Sequence, residues 1–366
     1  MIAPPEADYR VTPRLGWPLN VEVDPRIGWP NVPRGTLDWP QRATARSLSG
    51  PALASTAPPT SIELPPGPRR ARFDEDEFAA PVVEEDPPAV ATATRATTTK
   101  LPAPAHSRIL VVANQKGGVG KTTTSVNLAA ALALGGLAVL VVDLDPQGNA
   151  TTALGVDHPP GTPGTYEVLM SGAALADHVV DSPEAANLKV LPATIDLAGA
   201  EIELVSVVAR ESRLRRTLRA YLQDHRVDYV FLDCPPSLGL LTVNALVAAN
   251  EILVPIQCEY YALEGVTQLL RTIDLVKGEL NDDLLLSTVM LTMFDGRTKL
   301  AAQVADEVRQ HFPTETIPTV IPRSVRISEA PSYGQTVLTY QPSSVGAISY
   351  LEAAQEIARR GKEESA

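Results

Sequence analysis

"VVANQKGGVGKTTTS", residues 111–125, sets an apolar run directly before a glycine-rich turn, and a lysine–threonine pair directly before a helical pattern. A phosphate-binding loop needs this strand-to-loop-to-helix context. Gly117, Gly118 and Gly120 let the backbone wrap an anion with its N–H groups pointing inward, and the helix expected over 122–135 adds its positive end. Lys121 is placed to neutralise β- and γ-phosphates, and the Thr122 hydroxyl to ligate Mg²⁺ directly; Val119 and Thr123 complete the loop. Against the general pattern G-x-x-x-x-G-K-[ST], Gln115 stands where the first glycine belongs and Lys116 follows it. The loop therefore carries one lysine more than a single phosphate site needs.

Outward from this loop, short apolar runs alternate with longer amphipathic ones, the signature of βα units around a mainly parallel sheet. Strands are expected at 108–113, 138–143, 187–193, 228–233, 251–256 and 285–292, with helices at 122–135, 197–223, 238–249, 262–278, 299–312 and about 346–360. Right-handed crossovers gather the loops after the strands at one edge of the sheet, where the chemistry is expected.

Upstream the composition changes. Of 33 prolines, 19 precede residue 107, in runs such as "STAPPTSIELPPGPRR" that have neither helical nor strand periodicity. Such sequence buries too little apolar surface to offset the entropy of ordering it. The reading is a disordered Pro/Ala-rich tail over 1–106, with Trp-Pro repeats "RLGWP", "RIGWP" and "LDWP", followed by one folded domain over 107–366. The domain holds 20 basic and 30 acidic residues, so any nucleic-acid contact must come from a local basic patch. Cys234 and Cys258 lack a pairing pattern, which fits a reducing cytoplasm. With no signal peptide and no apolar run long enough to span a bilayer, a soluble protein is expected. The five histidines are scattered, with no metal spacing.

Three further motifs join the loop. "KGGVGKTT", then "DLDPQGNAT" (143–151), "DCPPSLG" (233–239) and "PRSVRISEAPSYG" (322–334), resemble in order and spacing the ParA/Soj branch of the ParA/MinD family of ATPases. The resemblance covers 108–360 and implies a P-loop NTPase fold, a mainly parallel twisted sheet with helices on both faces, using ATP and Mg²⁺ as the only cofactors. It makes Lys116 the signature lysine, which reaches across an ATP-bound homodimer to the partner's phosphates. It gives Asp145 the orientation of the attacking water, with Lys116 and Lys121 as catalytic cations. Asp143 and the Walker B residue Asp233 support Mg²⁺ through water. These roles suit phosphoryl transfer, in which positioning and charge stabilisation supply most of the catalysis.

The same resemblance places Arg297 and Arg326 at positions associated with non-specific DNA binding, within a group that includes Lys299 and Arg323. The partners it implies are DNA and a ParB-like centromere-binding protein that stimulates hydrolysis, and the location is cytoplasmic and nucleoid-associated. Two other readings stay open. One is a positioning ATPase for a non-DNA cargo, its tail docking on a polar scaffold through the tryptophans. The other is a MinD-like membrane-associated ATPase, against which the C-terminal "SYLEAAQEIARRGKEESA" lacks bulky apolar and basic faces; Tyr350, Leu351 and Ile357 read as packing residues and no stable membrane attachment is expected.

Overall fold

A computed structural model describes residues 100–259 and 262–363; the tail expected over 1–106, up to residue 99 and with its Trp-Pro repeats, lies outside the described residues. In chain order the elements are β1 (Arg108–Val112), α1 (Lys121–Leu134), β2 (Val139–Asp143), α2 (Asn149–Ala153), α3 (Thr165–Met170), β3 (Val180–Asp181), β4 (Leu188–Leu191), α4 (Leu197–Glu203), α5 (Arg213–Asp224) and β5 (Tyr229–Asp233). There follow α6 (Leu240–Ala248), β6 (Glu251–Gln257), α7 (Ala262–Glu279), β7 (Leu285–Phe294), α8 (Lys299–His311), β8 (Thr316–Pro322), α9 (Val325–Glu329), α10 (Val337–Tyr340) and α11 (Val345–Glu363).

The strands form one eight-stranded sheet in the order β3-β4-β2-β5-β1-β6-β7-β8. Every pairing is parallel except that of β3 with β4. "VLVVD" and "YVFLD" are buried along their whole length, as strands covered on both faces must be. One group of helices packs α1 with α11, α2 and α10; the other packs α6 with α5, α4 and α7, so the sheet is covered on both sides. Because β2 and β5 lie to one side of β1 and β6 and β7 to the other, the loop leaving β1 opens over the crevice where the connections diverge.

Between α1 and the sheet the core is built from Leu128, Leu132, Phe231, Tyr350, Ala354 and Ile357. Tyr350 and Ile357 are buried as expected, and Leu351 packs against them at the margin. The end of α11 is also clamped. Arg108 forms a buried pair with Glu251 at 2.5 Å and donates to the Ile357 carbonyl at 2.9 Å. A Cβ at Gly361 would sit 2.7 Å from both Arg108 Nη1 and the Tyr229 hydroxyl, so only glycine lets the helix approach this closely. Among the described residues no helix is long and apolar enough to cross a membrane.

Three features depart from the sequence expectations. The helix expected at 197–223 is two helices, α4 and α5, joined through short turns in which Ala209 has φ 52°. Its buried stripe of Leu197, Ala200 and Leu204 does not continue: Val208 is exposed and the next position in phase is Glu211. Two further strands lie at the sheet edges, the two-residue β3 and β8, where Pro318 and Pro322 cost no interior ladder bond. Packing also begins before residue 107. Leu101 is buried in the core, its N–H donates to the Gly135 carbonyl at 3.0 Å, and its side chain fills the space a Cβ would take at Gly135.

Candidate active site

The loop between β1 and α1 turns through two glycines in the left-handed region, Gly118 at φ 74° and Gly120 at φ 88°. Gly120 is the N-cap of α1, so the helix opens with Lys121 and its free N–H groups face the loop. A Cβ added to Gly117 or Gly118 meets nothing within 4 Å. These glycines keep the backbone bare beside open space, as close approach of an anion requires.

The loop is braced from two neighbouring strands. Asn114 Nδ2 donates to the Pro255 carbonyl of β6 at 2.8 Å, while its Oδ1 accepts the Lys116 N–H at 3.0 Å. Thr292, near the end of β7, donates its hydroxyl to the Val119 carbonyl at 2.8 Å. Lys121 is 7% exposed, and its Nζ donates to the Lys116 carbonyl at 3.4 Å. Burial holds its pKa below the ordinary lysine value, with Asp233, Cys234 and Asp145 pulling it back up. A phosphate beside this ammonium would relieve the burial cost.

Asp143 and Asp233 end neighbouring strands as register partners, both with fully buried side chains. Asp233 accepts the Thr122 hydroxyl at 2.7 Å on one oxygen and the Ser125 hydroxyl at 2.8 Å on the other. With its proton committed to Asp233, Thr122 Oγ1 has lone pairs to offer to a cation. Burial first, then the charge of Asp143, pushes the Asp233 carboxyl up to about 7. Asp143 is pushed up to about 6 by burial, against the bonds it accepts from Thr151 and Asp145.

Sequence alternation sends Asp143 and Asp145 the same way, yet the structure gives them different surroundings. The Asp143 carboxylate is engaged by Thr151 N–H (2.9 Å), Thr151 hydroxyl (2.7 Å) and Asp145 N–H (3.1 Å). Asp145, 9% exposed, lines the cavity beside the loop, its Oδ1 fixed by the Gln147 N–H at 3.0 Å. The physical reason is that β2 ends at Asp143, so the two-residue alternation no longer applies beyond it.

The cavity measures about 690 Å³, an ordinary size for a small-molecule site. It is lined by the loop glycines with Lys121, Thr122 and Thr123, by Asp145 and Pro236, and by the apolar side chains of Ile195 and Met293. Met293 has φ 49°, an unusual value for a non-glycine residue, at the point where β7 turns toward the loop. A second cleft, about 650 Å³ beside His158 and Tyr333, contains none of the residues that the sequence motifs single out for catalysis.

Lys116 is not among the residues lining the cavity beside the loop, and its Nζ pairs with Glu259 at 3.3 Å. The arginines stand at the ends of β7 and β8, which are joined where the Arg323 N–H meets the Phe294 carbonyl at 3.1 Å. Arg297 pairs with Asp295, Arg323 with Glu259 and Arg326 with Glu329, and all three guanidinium groups remain exposed. The basic segments are thus adjacent, but each arginine already has an acidic neighbour.

Ser125, Thr151, Asn114, Glu259 and Met293 were not singled out from the sequence. Ser125 was legible as the residue four after Lys121, hence on the same face of α1. Thr151 ends the "DLDPQGNAT" motif. Glu259 carries no motif signal, because apart from Gln257, two residues before it, its charged partners Lys116 and Arg323 lie 143 and 64 residues away. Among the described residues no group of three or more His, Cys, Asp or Glu side chains is gathered as a metal cluster. The oxygen donors lining the cavity include the Thr122 and Thr123 hydroxyls and the Asp145 carboxylate, a set that suits Mg²⁺. Cys234 is buried with its thiol pKa pushed well up by burial.

A family profile described as an AAA domain matches residues 107–286. The sporulation initiation inhibitor protein Soj of Bacillus subtilis is 53% identical over 254 residues, which is 69% of this chain and 99% of that protein. The chromosome partitioning protein ParA of Myxococcus xanthus is 49% identical over 253 residues, 69% of this chain and 88% of that protein. Among solved structures, a Mycobacterium smegmatis protein named cobyrinic acid a,c-diamide synthase, with bound ADP and magnesium, is 41% identical. It superposes with a TM-score of 0.60 over 69% of this chain and 95% of its own.

Proposed function

Because the chain belongs to the Soj/ParA family of chromosome-partitioning P-loop ATPases, we propose that it hydrolyses ATP with Mg²⁺ to drive DNA partitioning, cycling between a monomer and an ATP-bound homodimer that holds DNA non-specifically. A ParB-like protein bound at centromere-like sites stimulates hydrolysis and releases the dimer, which keeps the protein on the nucleoid while ATP is bound. The partition reading is preferred to the synthase named for the solved neighbour, because the chromosome partitioning protein ParA of Myxococcus xanthus is more similar to this chain, at 49% identity against 41%.

The observation that carries the proposal is the single cavity that Lys121, Thr122 and Asp145 line together. Lys121 and the loop N–H groups bind the phosphates. Thr122 would ligate Mg²⁺, and Asp233 would support this by holding the Thr122 hydroxyl in its accepting orientation. When bound, Mg²⁺ offsets the charge that develops on the phosphates. Asp145 orients the attacking water, and Asp143 serves this chemistry by fixing the Asp145 backbone. Lys116 reaches the phosphates of the partner copy, so nucleotide becomes part of the interface and controls assembly. Arg297 and Arg326 exchange their acidic neighbours for DNA phosphates, a contact without base reading.

Co-sedimentation with DNA and sizing, each with and without ATP, test the cycle. Wild type is expected to dimerise and pellet with DNA only when ATP is present. Lys116→Ala is expected to bind ATP without forming the dimer, and a normal dimer from that variant would return Lys116 to an ordinary surface role. The Trp-Pro repeats of the 1–106 segment are proposed to contact a polar scaffold; a chain lacking them should keep ATPase activity and lose polar placement.

A further inference from the structure

Lys116 is the lysine of the loop that its own phosphate cradle does not use, and the structure gives it a definite partner. Its Nζ lies 3.3 Å from Glu259 Oε2, two residues beyond the end of β6. Glu259 is itself aimed. Gln257 Nε2 at 2.7 Å and Arg323 Nη2 at 3.2 Å both donate to its other oxygen, Oε1. The end of β6 and the segment after β8 thus fix one oxygen and turn the second toward Lys116.

The backbone of Lys116 is anchored separately. Its N–H is held by Asn114 and its carbonyl accepts from Lys121. Any change of partner is then a movement of the side chain alone, about four methylenes long, and requires no refolding of the loop. The pair is suited to exchange, since Lys116 is 33% exposed and Glu259 46%. Arg323 stays on Glu259 if Lys116 leaves, so the carboxylate is not stranded without a cation.

We infer that Glu259 is a positioning residue that holds Lys116 within its own chain and must release it before the lysine can engage the nucleotide of a second copy, so that this ion pair sets the ATP concentration at which the dimer forms. The inference rests on the proposed ATP-dependent dimer. The pair acts as a restraint on assembly: each subunit gives up one intramolecular contact when the partner's phosphates take Lys116.

The test measures dimer formation by analytical ultracentrifugation across a titration with a non-hydrolysable ATP analogue and Mg²⁺, which separates assembly from turnover. Glu259→Gln is expected to lower the midpoint about three- to tenfold, the size of two exposed ion pairs that no longer oppose assembly. Glu259→Asp, which keeps the charge, is expected to restore the midpoint most of the way to wild type. Arg323→Ala, which would leave the Glu259 carboxylate without a cation once Lys116 departs, should raise the midpoint by a smaller factor, and it serves as the second variant if Glu259→Gln melts early without nucleotide. An unchanged or raised midpoint in Glu259→Gln, or an unchanged or lowered one in Arg323→Ala, overturns the inference while leaving the dimer itself in place. A wild-type chain that never dimerises with the analogue overturns the functional reading and this inference together.

Discussion

Asp143 and Asp233 beneath the loop, and Arg297 and Arg326 at the ends of β7 and α9's first turn, are all charged residues gathered at one edge of the sheet, yet their surroundings are opposite. The two aspartates are fully buried and each is held by several donors: Thr122 and Ser125, from the distant helix α1, for Asp233, and Thr151 together with the nearby Asp145 N–H for Asp143. The arginine side chains are 73% and 53% exposed and pair with residues two and three positions away. A buried charge without fixed donors would be costly, so its network is specific and rigid. An exposed pair is screened and easily exchanged, which suits a surface that grips any phosphate backbone without selecting sequence.

The comparison can be broken at several points. Asp145, at the boundary between the buried network and the cavity, should show the largest effect. Asp145→Ala is expected to lower turnover at least about 100-fold while calorimetry still detects ATP binding. Unimpaired turnover would remove Asp145 from the chemistry. Next is Thr151→Val, which keeps the shape and deletes the hydroxyl that donates to Asp143 and accepts from the Ala193 N–H. A loss of about 2 kcal/mol in denaturant unfolding is expected, and a loss near zero would mean that the buried network is not rigid.

A smaller effect is expected from pH. The native carboxyls of Asp143 and Asp233 titrate near 6 and 7, above their unfolded values, mainly because they are buried. Each therefore binds its proton more tightly in the folded chain. The stability this gives is complete below about pH 4 and is lost as pH rises through 6 and 7. Asp295, Glu356 and Glu211 are shifted down by their arginine partners, so their contribution is kept above about pH 4 and disappears only in acid. Between pH 6 and 8 the buried pair should dominate, and the ligand-free chain should lose about 2 kcal/mol in calorimetric unfolding. Mg²⁺ with ATP should flatten this slope; a flat profile without ligand would show that the two carboxyls are already ionised at pH 6.

The smallest effect on the fold belongs to the arginines. Arg297→Glu combined with Arg326→Glu should leave the melting temperature within about 2 °C of wild type and still abolish ATP-dependent retention on DNA. Undiminished DNA binding would move the interface elsewhere. A large fall in melting temperature would show that these residues belong with the buried class after all.

Much of the architecture was legible because its signals are local. "RILVV", "VLVVD" and "YVFLD" are apolar runs between turn signals, and they form β1, β2 and β5. β8 was missed because "TIPTVIP" carries two prolines, which count against a strand until its place at the sheet edge is known. The long helix expected at 197–223 divides because the register of its buried stripe is decided by what packs against it. At the site, the loop glycines, both lysines, Thr122 and the three aspartates could be read from motifs. Thr151 and Glu259 act through residues far away in sequence or through another carboxylate, and no spacing rule points to them.

By itself the sequence determined that a phosphate-binding loop joins a buried strand to a helix, since glycine, lysine and threonine at those spacings are dictated by backbone geometry and charge. It also determined that the strands around the loop form a parallel sheet, because continuous apolar runs can be satisfied only with both faces covered. Only the tertiary structure decided where each charge is directed once the strands end. Asp143 turns to Thr151 while Asp145 faces the cavity, and Lys116 is held by a glutamate 143 residues away. The reason is physical: a side chain's periodicity is fixed within a strand, but beyond its last residue direction is set by whichever donors and acceptors the fold brings within about 3 Å.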